Sequence, residues 1–257
     1  MTGSLVVVGT GPGRAELMTP ATSAALARAT DLVGYGPYLD LLGDAAHGKT
    51  KHPGTPGAEE ARARLALDLA AQGKAVALIC SGDAGIYALA TLVLELMERE
   101  ARADWNRIDL AVAPGISALQ AAAARAGAPL GHDFCAISLS DLLTPWPVIE
   151  TRLRAAAAAD FIVALYNPAS ERRRDQLVTA RDIFLAARPP TTPVVVARNL
   201  GRAGEEVAIT TLARFDPAGI DMLTILLIGA STTRLAAHGG RSWVHTPRGY
   251  ADKDDAR

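Results

Sequence analysis

This sequence contains few cysteines and carries almost no net charge. Its 257 residues include two cysteines, Cys80 and Cys135, too few for a disulfide framework, a four-thiolate metal site or an iron–sulfur cluster. The 26 lysines and arginines against 27 aspartates and glutamates give a formal net charge of −1, which argues against a general nucleic-acid-binding protein. We therefore predict no metal site and no nucleic-acid partner.

Long hydrophobic runs are absent as well. The apolar stretch MLTILLIGA is far too short to cross a membrane, and the start MTGSLVVVGTG has no basic segment and too short an apolar run for a signal peptide. We therefore expect a cytoplasmic protein with no membrane partner. Hydrophobic residues make up 49% and charged residues 21% of the chain, a composition typical of a soluble globular protein. The 257 residues are enough for one large or two small α/β domains.

The first half of the chain repeats the order strand, loop, helix. Strands are predicted at LVVV, DLVGYG, AVALIC and IDLAVA, where Cys80 is read as a buried, inert thiol. Thr19 and Pro20 are typical of a helix start, and Gly43–Gly57 is predicted to be a surface loop. The segment AEEARARLALDLAAQGK predicts a helix with Ala61, Leu65 and Leu69 on its apolar face. This order indicates a mainly parallel sheet covered by helices.

The second half predicts a mixed sheet. Strands are expected at FCAISL, FIVALY, TPVVVARNL, EEVAITTLARF and MLTILLIGAS, and no long helix separates the last two. Helices are expected at Trp146–Ala159 and from Ser170 onward. The glycines and proline of AGAPLGH divide the chain into an N-terminal α/β domain, residues 1–128, and a C-terminal mixed-sheet α/β domain, residues 129–257. The tail from His238 is predicted to be irregular, with a disordered end at DKDDAR.

The first glycine loop does not fit a dinucleotide-binding fingerprint. Gly9 and Gly11 match the pattern GxGxxG, but its third glycine is replaced by Arg14. Pro12 removes a backbone donor, and Asp31 precedes the second strand instead of ending it. A nicotinamide-dependent oxidoreductase is therefore disfavoured.

Two more small-residue turns follow predicted strands, at Gly82–Gly85 and at Pro114–Ser117. Because the carboxyl ends of parallel strands lie at one edge of a sheet, the three turns are expected to meet there. Glycines let backbone groups approach a ligand closely, and a site without a helix-bound phosphate suits an adenosine compound that lacks phosphate. Each turn taken alone is better explained as a plain strand–helix connector, and it is the three turns at one edge that favour a ligand site.

The motifs VVVGTGPGRAELMTPATSAAL, SGDAGIYA and APGISALQAAAARAGAPL together resemble the tetrapyrrole methylase family. The resemblance implies an α/β fold of two domains, with S-adenosylmethionine bound in the cleft between them and S-adenosylhomocysteine released as product. The stretches LVGYGPYLDLL, ISLSDLLTPW, LYNPASERR, VVARNLGRAGE and VHTPRGY narrow it to members that methylate C17 of precorrin-3B and contract its ring to precorrin-4 in cobalamin biosynthesis.

The resemblance also implies a homodimer and hand-over of the tetrapyrrole from neighbouring enzymes of the cobalamin pathway. Some relatives carry a cysteine-rich extension that holds an iron–sulfur centre. With only two cysteines, this chain favours the metal-free substrate. The alternatives left open are a sister methylase acting at another carbon, the same reaction on a cobalt-bearing substrate, and a non-catalytic protein that binds the adenosyl ligand.

Site residues follow from the resemblance position by position. The expected contacts to the cofactor are Pro12, Gly82, Asp83, Ile86, Ser117, Ala118, Asn167, Leu200 and Thr224. Asp83 can accept hydrogen bonds from ribose hydroxyls or pair with the ammonium group of the cofactor, and its alternative role is to cap the following helix.

Ring contraction needs a proton donor or acceptor near the expelled carbon. Asp141, between a strand and Pro145, is the candidate, and a turn-capping aspartate is the alternative. The acetate and propionate arms of the substrate call for arginines. Arg198, which ends a strand, is favoured over Arg202 and over the run Arg172–Arg174, two of whose members are read as solvated. Tyr35 and Tyr38 are expected to form a wall for the macrocycle, with ordinary packing as the alternative.

Overall fold

The computed structural model describes residues 3–250. The chain divides into two compact units, Met1–Ala118 and Leu119–Arg257, so the division falls ahead of the boundary predicted near residue 128. Within the described residues, no helix is both long enough and apolar enough to cross a membrane.

The first unit is built on a five-stranded sheet. Its strands are β1 (Ser4–Gly9), β2 (Asp31–Tyr35), β3 (Thr50–Gly54), β4 (Ala75–Cys80) and β5 (Asp109–Ala113), and its helices are α1 (Pro20–Arg28), α2 (Gly36–Asp40), α3 (Glu59–Ala71) and α4 (Leu89–Glu100). The strand order is β3-β2-β4-β1-β5, and every pair is parallel. The predicted parallel sheet is therefore confirmed.

The central strand β1 is buried on both faces, which explains its continuous β-branched run. Leu5 and Val7 join the cluster formed with α3 and α4, whereas Val8 joins the cluster formed with α1 and α2. Helix α1 begins as predicted, because the Thr19 hydroxyl accepts the backbone N–H of Thr22 at 3.1 Å. The loop of glycines after β1 is thus held between a buried strand and a capped helix.

Three local predictions for the first unit were wrong. The predicted surface loop Gly43–Gly57 contains β3, an edge strand whose residues are mostly exposed, so that it carries no hydrophobic signal. The predicted apolar face of α3 is rotated: Ala61 and Leu65 are exposed, and the buried positions are Arg62, Ala63, Ala66, Leu67, Leu69 and Ala70. The segment IYALATLVLELMER predicts a helix from Ile86, but α4 begins at Leu89, because the residues just before it form bends.

The second unit contains the predicted mixed sheet. Helix α5 (Ala118–Ala126) leads into it from the last residue of the first unit. Its strands are β6 (Gly127–Ala128), β7 (Phe134–Ser138), β8 (Ile162–Tyr166), β9 (Pro193–Arg198), β10 (Glu206–Thr211), β11 (Thr224–Ile228), β12 (Arg234–His238) and β13 (Arg241–His245), with helices α6 (Trp146–Ala158) and α7 (Asp175–Ala187). The main sheet has the order β10-β9-β11-β8-β7, in which β7 and β8 are parallel and the other pairs antiparallel.

Two predictions for the second unit were wrong. The tail from His238 is not irregular, because β12 and β13 form an antiparallel hairpin that also pairs with β6. Gly239 and Gly240 connect the two strands with φ of 61° and 73°, the left-handed conformations that a two-residue hairpin turn requires. Helix α7 begins at Asp175, not Ser170, since Ser170 and Arg173 pair across a tight turn. The segment DKDDAR lies outside the described residues.

Candidate functional site

The three small-residue turns of the first unit meet at the carboxyl edge of its sheet. They follow β1, β4 and β5, which are neighbours in the strand order. Gly11 and Gly82 exchange backbone hydrogen bonds, with N···O distances of 3.1 and 2.8 Å. Both have φ above +70°, a conformation that favours glycine. The expectation that these turns come together is therefore confirmed by direct backbone contact.

Glycine is required where the first and third turns touch. A Cβ built on Gly115 would lie 2.1 Å from the carbonyl oxygen of Gly82 and 2.5 Å from that of Gly9. A Cβ on Gly9 would lie 2.7 Å from the Gly115 nitrogen. The backbones of all three turns are thus packed against one another without room for a side chain.

Gly82 differs from these two glycines because a side chain there would meet its neighbours only at ordinary van der Waals distance. The atoms nearest to a Cβ built there are the Cα of Ser117 and the backbone nitrogen of Ala118, at 3.8 and 3.9 Å. Ser117 is buried, with 1% of its surface exposed. A methyl group at position 82 would therefore fit against the third turn without a clash.

Asp83 fastens the second turn to the third. Its Oδ1 accepts the backbone N–H of Gly85 at 2.8 Å, and its Oδ2 accepts that of Gly115 at 3.0 Å. It does not cap α4, whose N-cap residue is Ala88. The carboxylate thus has a structural role, and its contact to a cofactor stays a prediction.

The other predicted contacts of the first unit lie on the same turns. Pro12 is buried in the first turn, while Ile86 is 37% exposed in the second. Tyr35 ends β2 at the same edge, and its ring meets that of Tyr38 edge to face with centroids 5.1 Å apart. Tyr38 also packs against the core cluster next to α1 and α2. The structure thus shows the packing role of Tyr38, and the contact of both rings to a substrate stays a prediction.

In the second unit, strand register brings the predicted residues to one edge of the main sheet. Ser138, the last residue of β7, pairs with Tyr166, the last residue of β8. Arg198, the last residue of β9, pairs with Thr224, the first residue of β11. The segments that hold Asp141, Asn167, Arg198, Leu200 and Thr224 therefore all start or end at this edge.

Two asparagines occupy equivalent positions after β8 and β9. Asn167 has a φ of 48° and Asn199 a φ of 52°, the left-handed region that asparagine tolerates better than most residues. The Asn167 side-chain amide donates to the Ser138 hydroxyl at 2.9 Å. Both asparagines therefore turn the chain at the strand ends, and Asn167 also links two neighbouring segments.

Arg198 and Thr224 share a carboxylate that the sequence analysis did not single out. The Arg198 Nε donates to Oδ2 of Asp221 at 2.8 Å, and the Thr224 hydroxyl donates to Oδ1 at 2.9 Å. Burial would raise the pKa of Asp221, but the hydrogen bonds from Arg198 and Thr224 outweigh it and lower this pKa. Asp221 thus fixes two predicted site residues. Leu200 nearby is buried, with 6% of its surface exposed.

Asp141 lies in the segment between β7 and α6. Its Oδ2 accepts the side-chain amide of Gln176 at 3.0 Å, and its Oδ1 lies 3.8 Å from the Nε of Arg173. The side chain is 35% exposed. The side chain is thus held by two residues near the start of α7, and its role in proton exchange stays a prediction.

The amino-acid sequence matches one protein-family model over residues 4–216, described as Tetrapyrrole (Corrin/Porphyrin) Methylases. The chain belongs to this family. The match includes all the predicted site residues except Thr224, which lies beyond residue 216. The α/β architecture predicted from the tetrapyrrole methylase resemblance is therefore confirmed.

Three relatives show how far the similarity extends. CobIJ, a cobalamin biosynthesis protein of Mycobacterium tuberculosis, is 47% identical over 98% of this chain, which spans about half (49%) of CobIJ. Precorrin-3B C(17)-methyltransferase of a Sinorhizobium species is 45% identical over 98% of both chains. A probable cobalt-factor III C(17)-methyltransferase of Salmonella typhimurium is 43% identical over 96% of this chain and 99% of its own.

Among solved structures, the crystal structure of the methyltransferase CobJ is similar to this chain. The TM-score is 0.87 and the sequence identity 42%, and the match covers 95% of this chain and 100% of CobJ. This chain therefore shares its fold with an experimental structure at substantial sequence identity.

Proposed function

We propose that this chain transfers a methyl group from S-adenosylmethionine to C17 of precorrin-3B and contracts the macrocycle, giving precorrin-4 in cobalamin biosynthesis. The observation that carries the proposal is the 45% identity to the Sinorhizobium enzyme over 98% of both chains, because that extent leaves little of either chain unmatched. As the resemblance implies, we expect a cytoplasmic homodimer that receives its substrate from neighbouring enzymes of the pathway.

The residues of the first unit fit an adenosyl ligand. We expect the bare backbone at Gly82, which faces Ser117 and Ala118, to give a ligand access to backbone groups of two turns. Pro12, Asp83 and Ile86 lie on the same set of turns. We expect these residues to hold the cofactor, with Asn167, Leu200 and Thr224 as the contacts from the second unit. When bound, the cofactor supplies an activated methyl group on a sulfonium centre.

The protein itself has two tasks in this reaction. It must hold the substrate carbon in line with the methyl group, which provides most of the acceleration of a methyl transfer. It must also exchange a proton during ring contraction, and we assign this task to Asp141. We expect Arg198 to bind a carboxylate arm of the substrate and Tyr35 and Tyr38 to contact the ring.

A second candidate is the same reaction on a cobalt-bearing substrate. The observation that favours it is the 43% identity to the Salmonella protein, which is named for cobalt-factor III. This identity is close to the 45% found for the Sinorhizobium enzyme, so sequence identity gives little basis for choosing between the two substrates. The cysteine content of the chain favours the metal-free one.

The test is a reaction of the purified protein with S-adenosylmethionine and precorrin-3B, followed by mass and absorption spectroscopy. The expected product is one methyl group heavier and has the spectrum of a ring-contracted chromophore. Turnover of cobalt-factor III alone would assign the cobalt-bearing substrate. Calorimetric binding of S-adenosylhomocysteine without turnover of either substrate would indicate a ligand-binding protein and would overturn the proposal.

A further inference from the structure

Arg173 is buried, although it lies in a run of three arginines. Its neighbours Arg172 and Arg174 are exposed, whereas 8% of the surface of Arg173 is accessible. Burying a guanidinium is costly unless its donors find partners. Burial lowers the pKa of Arg173, and the Asp141 carboxylate partly offsets this effect. The contacts of the Arg173 guanidinium therefore explain how its burial is tolerated.

The guanidinium of Arg173 connects both ends of a short stretch of chain. Its Nη1 donates to the carbonyl oxygen of Leu139 at 2.8 Å, and its Nε lies 3.8 Å from Oδ1 of Asp141. Leu139 is fully buried, and its backbone N–H donates to the Tyr166 carbonyl oxygen at 2.9 Å. One side chain thus links a fixed backbone position to the carboxylate two residues later.

Arg173 is itself fixed by the chain around it. Its backbone N–H and carbonyl both pair with Ser170, at 3.2 and 2.9 Å. Its Nη2 lies 3.8 Å from the sulfur of Met222. Because the backbone and the guanidinium are both held, Arg173 provides a rigid support for Asp141.

Gln176, in the first turn of α7, contacts the other oxygen of the Asp141 carboxylate. Its side-chain amide donates to Oδ2 of Asp141 at 3.0 Å. Gln176 therefore holds one carboxylate oxygen by a hydrogen bond, and the positive charge of Arg173 lies 3.8 Å from the other. An acid–base group must be held within a narrow range of orientations to transfer a proton efficiently.

We propose that Arg173 is a positioning residue, which orients the Asp141 carboxylate for proton transfer by linking it to the fixed carbonyl of Leu139. This inference rests on the proposed function. A merely structural ion pair would stabilise the fold and leave the chemical step unaffected. A positioning residue changes kcat through Asp141, and its effect disappears when Asp141 can no longer exchange a proton.

The experiment compares Arg173→Lys, which keeps the charge but loses the fork of donors, with Asp141→Asn and with the double variant. Arg154→Lys is the matched control, because Arg154 pairs with Glu150 on the exposed side of α6. Turnover of precorrin-3B, the affinity for S-adenosylhomocysteine and the melting temperature are measured for each. Lysine is used because an apolar substitution at this buried position risks loss of the fold.

We expect Arg173→Lys to lower kcat by about tenfold or more, with KM and the S-adenosylhomocysteine affinity within about twofold of wild type. In the Asp141→Asn background, the same change should alter kcat by less than about twofold. Arg154→Lys should behave as wild type. Any one of three results would overturn the positioning role. These are a full effect of Arg173→Lys in both backgrounds, a loss of cofactor affinity, and an unchanged kcat in either single variant. Absence of turnover by the wild-type protein would instead overturn the proposed function, and the positioning role with it.

Discussion

The carboxylate of Asp83 accepts the backbone N–H of Gly115 at 3.0 Å, across 32 positions of sequence. This bond joins the turn after β4 to the turn after β5, while the other carboxylate oxygen closes the turn at Gly85. The charge that the resemblance assigns to cofactor binding is therefore also part of the framework of the site. A substitution at Asp83 must change the shape of the turns as well as any contact to a ligand.

Asp83→Asn tests this double role. Asparagine replaces one of the two accepting oxygens by an NH2 donor, so the N–H of Gly85 or that of Gly115 loses its acceptor. We expect the free energy of unfolding to fall by about 1–2 kcal/mol and the affinity for S-adenosylhomocysteine to fall by about tenfold or more. Urea unfolding and calorimetry measure the two effects. Lower stability with unchanged affinity would contradict a contribution of Asp83 to cofactor binding.

Gly82→Ala tests whether the space beside the second turn receives the cofactor. The added methyl group would project toward Ser117 and Ala118, where the ligand is expected. Alanine at a φ of +71° also strains the backbone by about 1–2 kcal/mol. We expect Gly82→Ala to abolish calorimetrically detectable binding of S-adenosylhomocysteine.

Gly48→Ala is the control for this experiment. Gly48 lies in the same unit with the same φ of +71°, and no atom lies within 4 Å of a Cβ built there. Both variants should lose a similar amount of stability, since both strain the backbone alike. Equal loss of ligand affinity in the two variants would show that strain, and not a filled site, is responsible.

In the first unit, the elements that could be predicted from the sequence are those whose burial or capping produces a recognisable pattern of residues. Strand β1 is buried on both faces and reads as an unbroken apolar run, and Thr19 with Pro20 marks the start of α1. Strand β3 carries no such signal, because an edge strand is held by backbone hydrogen bonds on one side and its side chains are mostly exposed. Its residues, TKHPG, have the composition of a loop.

The candidate site could be predicted only as far as the strand ends. The turns with Gly82 and Ser117 and the strand end at Arg198 were found because each follows a strand. Two members of the run Arg172–Arg174 are exposed, as predicted. Asp221 and the identity of the buried arginine were not predicted, because both depend on pairs distant in sequence. Arg198 and Asp221, for example, are 23 positions apart, and nothing local to either residue indicates the other.

Cys80 is expected to be unreactive in the folded protein. It is 4% exposed at the end of β4, and burial raises the pKa of its thiol to about 11. At pH 8 roughly one thiol in a thousand is then ionised, and the thiolate is the reactive form. In the Cys135→Ser variant, a disulfide reagent should label no thiol before urea is added and one thiol afterwards. Rapid labelling of this variant in the folded state would contradict the predicted inertness, and Cys80→Ser serves as the control.

The acid sensitivity of the first unit is expected to depend on Asp31. Its carboxylate, 4% exposed, lies 2.8 Å from His52 Nε2 and 2.9 Å from Lys74 Nζ. Burial would raise the pKa of Asp31, but hydrogen bonds from His52, Lys74 and Thr30 outweigh it and lower this pKa. The carboxylate therefore stabilises the fold fully above its unfolded pKa of about 3.9, and this contribution is lost as the pH falls through the lower, folded pKa.

We expect Asp31→Asn to lower the free energy of unfolding by about 2 kcal/mol at pH 7, and the difference from wild type to shrink below about pH 4 in urea titrations. Asp109→Asn, at an exposed position that begins β5, should show little loss at pH 7, and an equal loss in both variants would contradict the role of the buried cluster.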